Sequence, residues 1–315
     1  MEQEQPVVFR NLHDARAALD TPVVTIGNFD GVHLGHQEIF SRARQYADRR
    51  NVPAVALTFV PHPVRHFRPA ASEFRITTDR QKFQLITDNG LDAVVALDFD
   101  AELAGLQPAD FVDRIITEGL DASHVVVGSN FRFGRRRAGT TDDLQRLAAD
   151  RGIDTEICAE VEYGGEVVSS TRIRNLLAEG SVGDAAVLLT RPHRVIGTVV
   201  HGEKRGRQLG YPTANIQPGN LLPADGVYAT WLRVEGGEPL PAASSIGVRP
   251  TFDGQERRLE SYVLGRDDLD LYDTDVGVEF IEFIRPERSF ETVEALVDQM
   301  DKDVESVRRI LDLHD

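Results

Sequence analysis

Residues 23–36 read Val-Val-Thr-Ile-Gly-Asn-Phe-Asp-Gly-Val-His-Leu-Gly-His, and residues 37–49 directly after them have apolar side chains at helical spacing. The first four residues of this stretch are apolar or β-branched, which predicts a short buried strand. The sequence therefore predicts a strand, a glycine-containing loop and a helix in succession. His36 lies near the expected start of the helix, where unpaired backbone amides and the helix dipole favour an anion.

The same alternation of strand and helix continues to about residue 180. Predicted strands cover residues 23–26, 54–59, 93–97, 125–127 and 153–158, and predicted helices cover residues 37–49, 79–89, 108–118 and 141–150. Strands that alternate with helices imply a parallel sheet covered on both faces. Ligands of such sheets bind beyond the carboxyl ends of the strands.

The pattern changes after a further predicted helix, residues 170–179, which Gly180 closes. Strand-like segments separated by turn residues follow at residues 195–200, 227–234, 243–248, 259–264 and 276–284. They predict an antiparallel barrel or sandwich, and a last helix is predicted over residues 293–311. We expect two domains, residues 1–186 and 187–315, with no glycine- or serine-rich linker between them.

The composition excludes several classes of partner. The chain has 51 acidic and 35 basic residues and a formal charge of −16, which disfavours nucleic acid. No apolar run approaches the roughly 18 residues of a membrane span, so we expect no membrane partner. Cys158 is the single cysteine and the first residues lack a secretory pattern, so the expected location is the cytoplasm. The sequence does not indicate the oligomeric state.

Two clusters of basic residues stand out in this acidic chain. They are Arg132, Arg135, Arg136 and Arg137, and Lys204, Arg205 and Arg207. A phosphate-binding enzyme of this net charge must gather positive groups at its sites, so both clusters are candidates for phosphate binding. For the second cluster, an ordinary charged hairpin is the alternative.

Polar side chains follow several predicted strands of the first half, where the carboxyl ends of a parallel sheet would bring them together. They are His33, His36, His62, Asn130, Ser170 and Thr171. Such positioned donors, with a metal, suit nucleotidyl transfer, in which a phosphate oxygen attacks the α-phosphorus of ATP and pyrophosphate leaves. A hydrogen-bonded loop residue is the alternative for any one histidine, but here the pattern recurs in several loops.

Several motifs of the sequence resemble those of a known family. Residues 25–36, 58–63, 127–134 and 169–174 closely resemble motifs of the N-terminal module of bacterial bifunctional riboflavin kinase/FMN adenylyltransferases, also called FAD synthetases. Residues 197–202, 205–215, 226–229, 245–252 and 260–264 resemble the riboflavin kinase module of that family. The resemblance covers almost the whole chain in the same order. It implies an α/β plus β fold: a Rossmann-like nucleotidyltransferase domain with a parallel sheet, then an antiparallel β-barrel with a terminal helix.

The resemblance also implies two activities. The first is the ATP-dependent phosphorylation of riboflavin to FMN, which releases ADP. The second is the adenylylation of FMN by ATP to FAD, which releases pyrophosphate. Mg²⁺ would be the cofactor, ATP the co-substrate and the flavins the small-molecule partners, and we expect the two modules to work independently.

Residue roles follow from the matching motifs. In the first module the resemblance implies that His33 and His36 are catalytic, and it assigns ATP and phosphate contacts to Gly27, Asn28, Phe29, His62, Asn130, Ser170, Thr171 and Arg174. In the second module Glu260 would be the general base, and Thr213 and Asn215 would bind magnesium and phosphate. A phosphate-binding flap would contain Gly202, Lys204, Arg207 and Gly210.

The chemistry of these residue types agrees with the second assignment. A primary ribityl hydroxyl is a poor nucleophile near neutral pH, so a carboxylate base assists its attack. A threonine hydroxyl and an asparagine carbonyl supply the hard oxygen ligands that magnesium prefers. Flavin needs an apolar slot, for which Tyr211, Phe252, Tyr262 and Arg285 are candidates, with core positions and a solvated loop as the alternatives.

Three positions depart from the family pattern. Val60 stands where an acidic residue is usual, Gly265 where an aspartate is usual and Asp273 where a glycine is usual. Two other functions stay open from the sequence. The chain could adenylylate another phosphorylated acceptor, with the barrel as a binding domain, or it could bind flavin without turnover.

Overall fold

Contacts between residues divide the chain into two units. The first unit contains Met1–Ser72 and Asp79–Ser169, and the second contains Glu73–Thr78 and Ser170–Asp315. The computed structural model describes residues 5–67, 73–201, 210–234, 237–251 and 254–313. The expected domain boundary between residues 186 and 187 falls inside a helix of the second unit, and as a boundary between two activities it stays a prediction.

A parallel sheet forms the centre of the first unit. Its six strands have the order β1-β4-β3-β2-β5-β6, and every neighbouring pair is parallel. The strands are Val8–Phe9 (β1), Val23–Ile26 (β2), Ala54–Val60 (β3), Ala93–Asp98 (β4), His124–Gly128 (β5) and Asp154–Cys158 (β6). The direction in which strands are added reverses at β2, which lies between β3 and β5. In such sheets this switch point opens a crevice beyond the carboxyl ends of the strands.

Helices cover both faces of this sheet. They are Leu12–Ala18 (α1), Leu34–Arg50 (α2), Pro63–Phe67 (α3), Asp79–Asp88 (α4), Ala101–Gly105 (α5), Pro108–Phe111 (α6) and Thr141–Ala149 (α7). Phe40 and Ala43 of α2 are buried in the apolar cluster that also contains Val23 and Val126. Leu144 of α7 is buried in the separate cluster that contains the other sheet residues, such as Val24. The predicted parallel sheet with two covered faces is therefore confirmed.

Two segments of the first unit are irregular. The predicted helix over residues 108–118 consists of α6 and a π-helical turn, Val112–Thr117. A short antiparallel hairpin, Glu162–Tyr163 (β7) and Glu166–Val167 (β8), follows β6 and was not predicted.

A closed antiparallel barrel forms the centre of the second unit, in the order β10-β13-β12-β11-β14-β9. The strands are His193–Val200 (β9), Thr213–Pro218 (β10), Gly226–Val234 (β11), Leu240–Thr251 (β12), Gly254–Val263 (β13) and Asp275–Arg285 (β14). The helices are Ser170–Ala178 (α8), Val182–Leu189 (α9) and Val293–Ile310 (α10). Of the two predicted architectures, the barrel is correct. Within the described ranges, no helix combines the length and the hydropathy that crossing a bilayer requires.

Residues 73–78 join the second unit through hydrogen bonds and not through a strand. The side chain of Asn220 is 1% exposed, and its amide donates to the carbonyl oxygen of Ile76 at 2.8 Å and to that of Arg194 at 3.0 Å. The backbone amide of Leu221 donates to the carbonyl oxygen of Arg75 at 2.8 Å. A buried asparagine thus satisfies backbone groups of two separate segments at once.

His124, at the start of β5, is a buried histidine held by stacking. Its ring is 3% exposed and stacks on Tyr46 with the centroids 4.0 Å apart. Among the described residues, neither ring nitrogen has a hydrogen-bond partner. Burial, and to a smaller extent the positive charge of Arg50, lowers the pKa of His124 below its ordinary value. The folded protein therefore holds this imidazole in its neutral form.

We predict that the first unit loses stability as the pH falls through the ordinary histidine pKa of 6.5. The unfolded chain binds a proton at His124 that the folded chain resists, so acid favours unfolding. His124→Phe keeps an aromatic ring on Tyr46 and removes the titration. The difference in melting temperature between about pH 7.5 and about pH 5 should therefore be smaller in this variant than in the unmodified protein. His13→Phe, on the exposed side of α1, is the control and should keep the full difference. Equal differences in all three proteins would contradict the prediction.

Candidate active sites

The first candidate site begins with a pair of stacked histidines after β2. The rings of His33 and His36 have centroids 3.6 Å apart and planes inclined by 21°. The backbone N–H of His33 donates to Nδ1 of His36 at 3.4 Å. His33 directly precedes the first residue of α2 and is 5% exposed, and His36 lies in the first turn. The sequence thus forms a compact imidazole pair at the beginning of a helix, where anions are favoured.

The loop before the histidines is shaped by Phe29. The Phe29 ring is 2% exposed and packs edge-on against His36, with the centroids 5.3 Å apart, and against Phe40. A Cβ at Gly27 would lie 2.8 Å from the Phe29 ring, so this position has no room for a side chain. The carbonyl oxygen of Asn28 accepts a hydrogen bond from the Thr58 hydroxyl at 3.3 Å. The Phe29 ring therefore packs against the histidine pair. Because this ring is buried, only the backbone of Phe29 could contact a ligand.

Two further predicted residues lie in the loops after the strands that flank β2. His62 follows β3 and is 9% exposed, and its Nδ1 accepts a hydrogen bond from the backbone N–H of Val64 at 3.2 Å. Asn130 follows β5 and is exposed, and its amide donates to Oε1 of Glu160 at 3.2 Å. Because β3 and β5 are both hydrogen-bonded to β2, the loops of His33, His62 and Asn130 leave the same edge of the sheet. Sequence reasoning missed Glu160, since no motif marks it.

Ser170, Thr171 and Arg174 are in α8, which belongs to the second unit. Ser170 is the first residue of that helix. Nε of Arg174 donates to the carbonyl oxygen of Phe74 at 2.9 Å, and the guanidinium lies 5.5 Å from the centroid of the Phe74 ring. Arg174 thus contacts the segment that joins the barrel unit. The predicted approach of these three residues to the histidines stays a prediction.

The second candidate site lies on the outer face of the barrel. In the pairing of β10 with β13, Asn215 is opposite Glu260 and Thr213 is opposite Tyr262. Side chains alternate along a strand, so these four residues share one face. Their neighbours Ile216, Leu259, Ser261 and Val263 are buried on the inner face. The Thr213 hydroxyl donates to Oε2 of Glu260 at 3.4 Å. The fold therefore brings the three predicted chemical groups, a hydroxyl, an amide and a carboxylate, to one surface.

A pocket of about 140 Å³ adjoins Glu260 and is also lined by Ser245, Gly247, Val248, Arg258 and Glu287. A Cβ at Gly247 would overlap the carboxylate of Glu287. Gly247 therefore leaves the space in which that carboxylate lies. Glu287, in the segment that follows β14, was not predicted from the sequence.

Tyr211, one of the predicted flavin residues, is hydrogen-bonded to α10. The Tyr211 hydroxyl donates to Asp301, and the Tyr211 ring meets that of Tyr262 edge-on with the centroids 5.0 Å apart. Burial, with the neighbouring Asp301 carboxylate, raises the pKa of Tyr211 to about 12, so this phenol stays protonated. Phe252, Gly202, Lys204 and Arg207, which were predicted for the flavin slot and the phosphate flap, lie outside the described residues. Gly210, at the end of the predicted flap, has a φ of +84°.

Arg285, at the end of β14, is held in an ion pair with α10. Its Nε and Nη2 donate to the Asp303 carboxylate at 2.9 and 2.7 Å, and the side chains are 17% and 7% exposed. Gln299 donates to the same carboxylate at 2.8 Å. Sequence reasoning proposed Arg285 as a flavin contact and missed Asp303. The geometry gives this arginine a defined structural partner.

Two departures from the family pattern have the same backbone conformation. Gly265, where an aspartate was expected, has a φ of +68°, and Asp273, where a glycine was expected, has a φ of +59°. Glycine adopts this left-handed region freely, and aspartate adopts it more readily than most residues do. At each of the two positions, the residue present and the residue expected from the family pattern both suit a left-handed backbone.

A parallel sheet with a histidine pair at its switch point and a barrel with a carboxylate, a hydroxyl and an amide on one face define an enzyme that handles nucleotides in two units. Comparison with known protein families agrees with this class. Residues 15–172 match the FAD synthetase model, and residues 189–311 match the riboflavin kinase model. The chain belongs to the family of bifunctional riboflavin kinase/FMN adenylyltransferases, as the resemblance implied.

Individual relatives match over nearly the whole chain. The bifunctional riboflavin kinase/FMN adenylyltransferase of Pseudomonas fluorescens is 40% identical and covers 96% of this chain and 96% of its own length. The protein of the same name from Escherichia coli K12 is 33% identical over 97% of this chain and 98% of its own. A crystal structure of a macrolide-efflux protein from Streptococcus pneumoniae has a TM-score of 0.86 and 31% identity, over 97% of this chain and 99% of that one. The family and the fold class predicted from the sequence are therefore confirmed.

We predict that Asp303→Ala lowers the free energy of unfolding of the second unit by about 3 kcal/mol, because it leaves the mostly buried Arg285 without its carboxylate. Trp231, the single tryptophan, lies on β11 and reports this unit by its fluorescence in a denaturant titration. Asp298→Ala removes an exposed acid from the same helix and should change the free energy of unfolding by less than about 0.5 kcal/mol. Similar losses in the two variants would contradict a special role for the ion pair.

Proposed function

We propose that the chain phosphorylates riboflavin with ATP on the outer face of its barrel and adenylylates the resulting FMN at the edge of its parallel sheet. The first reaction releases ADP and the second releases pyrophosphate. The observation that carries the proposal is Glu260, which lies opposite Asn215 and within hydrogen-bond reach of Thr213. We assign residues 1–186 to the adenylyltransferase and residues 187–315 to the kinase. Both reactions consume ATP, and we infer that the enzyme acts in the cytoplasm.

Glu260 is the general base of the proposed kinase. The primary hydroxyl of the ribityl chain attacks the γ-phosphorus of ATP, its proton passes to the Glu260 carboxylate and the bond to ADP breaks. The Thr213 hydroxyl donates to Oε2 of Glu260 at 3.4 Å and so helps to orient the carboxylate that accepts this proton. The position of Glu260 on a paired strand of a closed barrel fixes the direction from which the base acts.

The residues around Glu260 fit a magnesium ion. Thr213 and Asn215 supply a hydroxyl and a carbonyl oxygen on one face, and magnesium prefers such hard oxygen ligands. No group of three His, Cys, Asp or Glu side chains that could hold a metal is found among the described residues. A magnesium ion at Thr213 and Asn215 would therefore take its other ligands from phosphate oxygens and water, as it commonly does. When bound, it would neutralise charge on the transferred phosphoryl group.

His33 and His36 act in the proposed adenylyltransferase. Their ring N–H groups would donate to the ATP phosphates as an FMN phosphate oxygen attacks the α-phosphorus. Their stacking and the packing of Phe29 hold the rings in place before ATP binds, which is the preorganisation that stabilises developing charge. His62, Asn130 and the backbone of Gly27 and Asn28 would complete the phosphate contacts, and Glu160 would orient the Asn130 amide. Ser170, Thr171 and Arg174 would bind the triphosphate.

The flavin would occupy the barrel face beside α10. The edge-on rings of Tyr211 and Tyr262, here called the aromatic corner, lie next to Thr213 and Glu260. The Arg285–Asp303 pair fixes α10 against β14. In this proposal Arg285 acts as a positioning residue for the helix. The aromatic corner supplies the apolar surface that a flavin ring requires.

We predict that single substitutions separate the two activities. Glu260→Gln should lower the turnover of riboflavin to FMN by about a hundredfold or more, since it removes the proton acceptor, and should leave FMN-to-FAD conversion within about twofold. His33→Ala should have the opposite effect, since it removes a phosphate donor from the other site. The measurement is separation of FMN and FAD after incubation with Mg²⁺, ATP and either riboflavin or FMN.

Two exposed residues provide matched controls for these variants. Glu282→Gln on β14 and His13→Ala on α1 remove the same residue types elsewhere and should leave both rates unchanged. Loss of both steps in a folded single variant would refute the two-site proposal.

A further inference from the structure

The loop after β5 carries four arginines within six residues. They are Arg132, Arg135, Arg136 and Arg137, which we call the arginine loop, and all four are exposed. The chain as a whole has a formal charge of −16, so this loop is a local reversal of the prevailing charge. The sequence makes this cluster a candidate for phosphate binding, and neither candidate site described above includes any of the four residues.

The other exposed arginines of the first unit mostly lie in ion pairs. Examples are Arg16 with Asp121, Arg42 with Glu38, Arg50 with Asp154, Arg114 with Glu102 and Arg146 with Asp143. In the arginine loop, the side chain of Arg132 donates to the carbonyl oxygen of Phe131 at 3.4 Å. In the part of the chain that the structure describes, no carboxylate pairs with any of the four. In a protein rich in acids, these guanidinium groups are therefore available to an external anion.

The backbone that carries these arginines is fixed. Phe133 is 5% exposed and stacks on Phe131, and its backbone exchanges two hydrogen bonds with Gly139, at 2.9 and 3.2 Å. A Cβ at Gly139 would lie 2.7 Å from the Phe133 ring, so the loop closes tightly on this phenylalanine. The backbone amide of Arg135 donates to the carbonyl oxygen of Leu106 at 2.6 Å.

Arg136 and Arg137 have left-handed backbones, with φ of +55° and +58°. Each such residue other than glycine costs roughly 1–2 kcal/mol relative to ordinary conformations. The anchors at Phe133 and Arg135 thus maintain an unfavourable conformation in which both guanidinium groups are presented to solvent.

The loop begins at the switch point of the sheet. β5 is hydrogen-bonded to β2, whose following loop carries the histidine pair, and Asn130 comes two residues before Arg132. The arginine loop therefore leaves the same edge of the sheet as the proposed ATP-binding histidines. An anion held there would be close to the place where ligands of such sheets bind.

We propose that the arginine loop binds the phosphate monoester of the acceptor and so selects FMN over riboflavin at the adenylyltransferase site. This inference rests on the proposed function. The reaction must bring a second phosphate against the triphosphate of ATP, and two anions approach only where positive charge screens their repulsion. An oxygen of the held phosphate forms the bond to the α-phosphorus, the bond from the α-phosphorus to the bridging oxygen breaks, and pyrophosphate leaves with its electron pair. Riboflavin lacks the phosphate, so it gains nothing from the arginines.

The test replaces Arg136 and Arg137 together by asparagine in the full chain. Asparagine tolerates the left-handed backbone, so R136N/R137N removes two charges and keeps the loop geometry. We expect the KM for FMN in FAD formation to rise about tenfold or more, since charge-assisted contacts to the phosphate are lost. The KM for ATP and the rate of riboflavin phosphorylation should stay within about twofold.

The matched control is R16Q/R114Q, which removes two exposed arginines of the same unit from surface ion pairs. It should leave the KM for FMN unchanged, which separates a local contact from a change in net charge. R135Q is a second variant at a residue with an ordinary backbone, for use if the double variant does not fold, and it should raise the same KM.

The alternative source of phosphate is ATP itself. A rise in the KM for ATP with an unchanged KM for FMN would assign the loop to the triphosphate and overturn the proposal. Unchanged constants for both substrates in a folded variant would also overturn it, as would an equal rise in the control. If the unmodified protein does not convert FMN to FAD, the proposed function and this inference are both overturned. If the unmodified protein does so and the variants keep its KM for FMN, this inference alone is overturned.

Discussion

The hydrogen bonds that β2 makes on both of its edges determine where the first candidate site lies. β2 pairs with β3 on one side and with β5 on the other, so the loops after all three strands leave one edge of the sheet. His33, His62 and Asn130 are far apart in sequence, and this pairing brings the loops that carry them to one edge of the sheet. The buried apolar strands behind them give the edge its rigidity, because both faces of the sheet are covered.

In the barrel, side chains alternate between the inner and the outer face along each strand, and this alternation places the second candidate site. One face of β13 points inward, where Ser261 joins a chain of buried hydroxyls with Ser244 and Thr230, at 2.7 Å for each contact. The other face carries Glu260 outward, next to Thr213. A shift of one residue in the register of β13 would exchange these two faces and bury the carboxylate. The closed barrel and the interior hydroxyl contacts both oppose such a shift.

Much of this arrangement could be predicted from the sequence, for physical reasons that differ between its parts. The apolar runs at β2 to β5 predict strands because those strands are buried on both faces, and the alternation with helices then gives the sheet. The pair Thr213 and Asn215 predicts one shared face because the period of a strand is two residues. Contacts such as Arg285 with Asp303 or Asn130 with Glu160 depend on distant segments and leave no local pattern. The left-handed backbone of Arg136 and Arg137 could not be predicted from the sequence, because arginine does not favour this conformation.

The short segment Glu73–Thr78 gives the chain an unusual connectivity. It belongs by its contacts to the second unit, although the residues described before and after it belong to the first. Asn220 and Leu221 hold its carbonyl groups, so the barrel unit is assembled from two separate stretches of the polypeptide. A single cut in the polypeptide therefore cannot yield both units intact. A fragment that begins at residue 170 would lack six residues of the barrel unit, and a fragment that begins at residue 73 would divide the first unit.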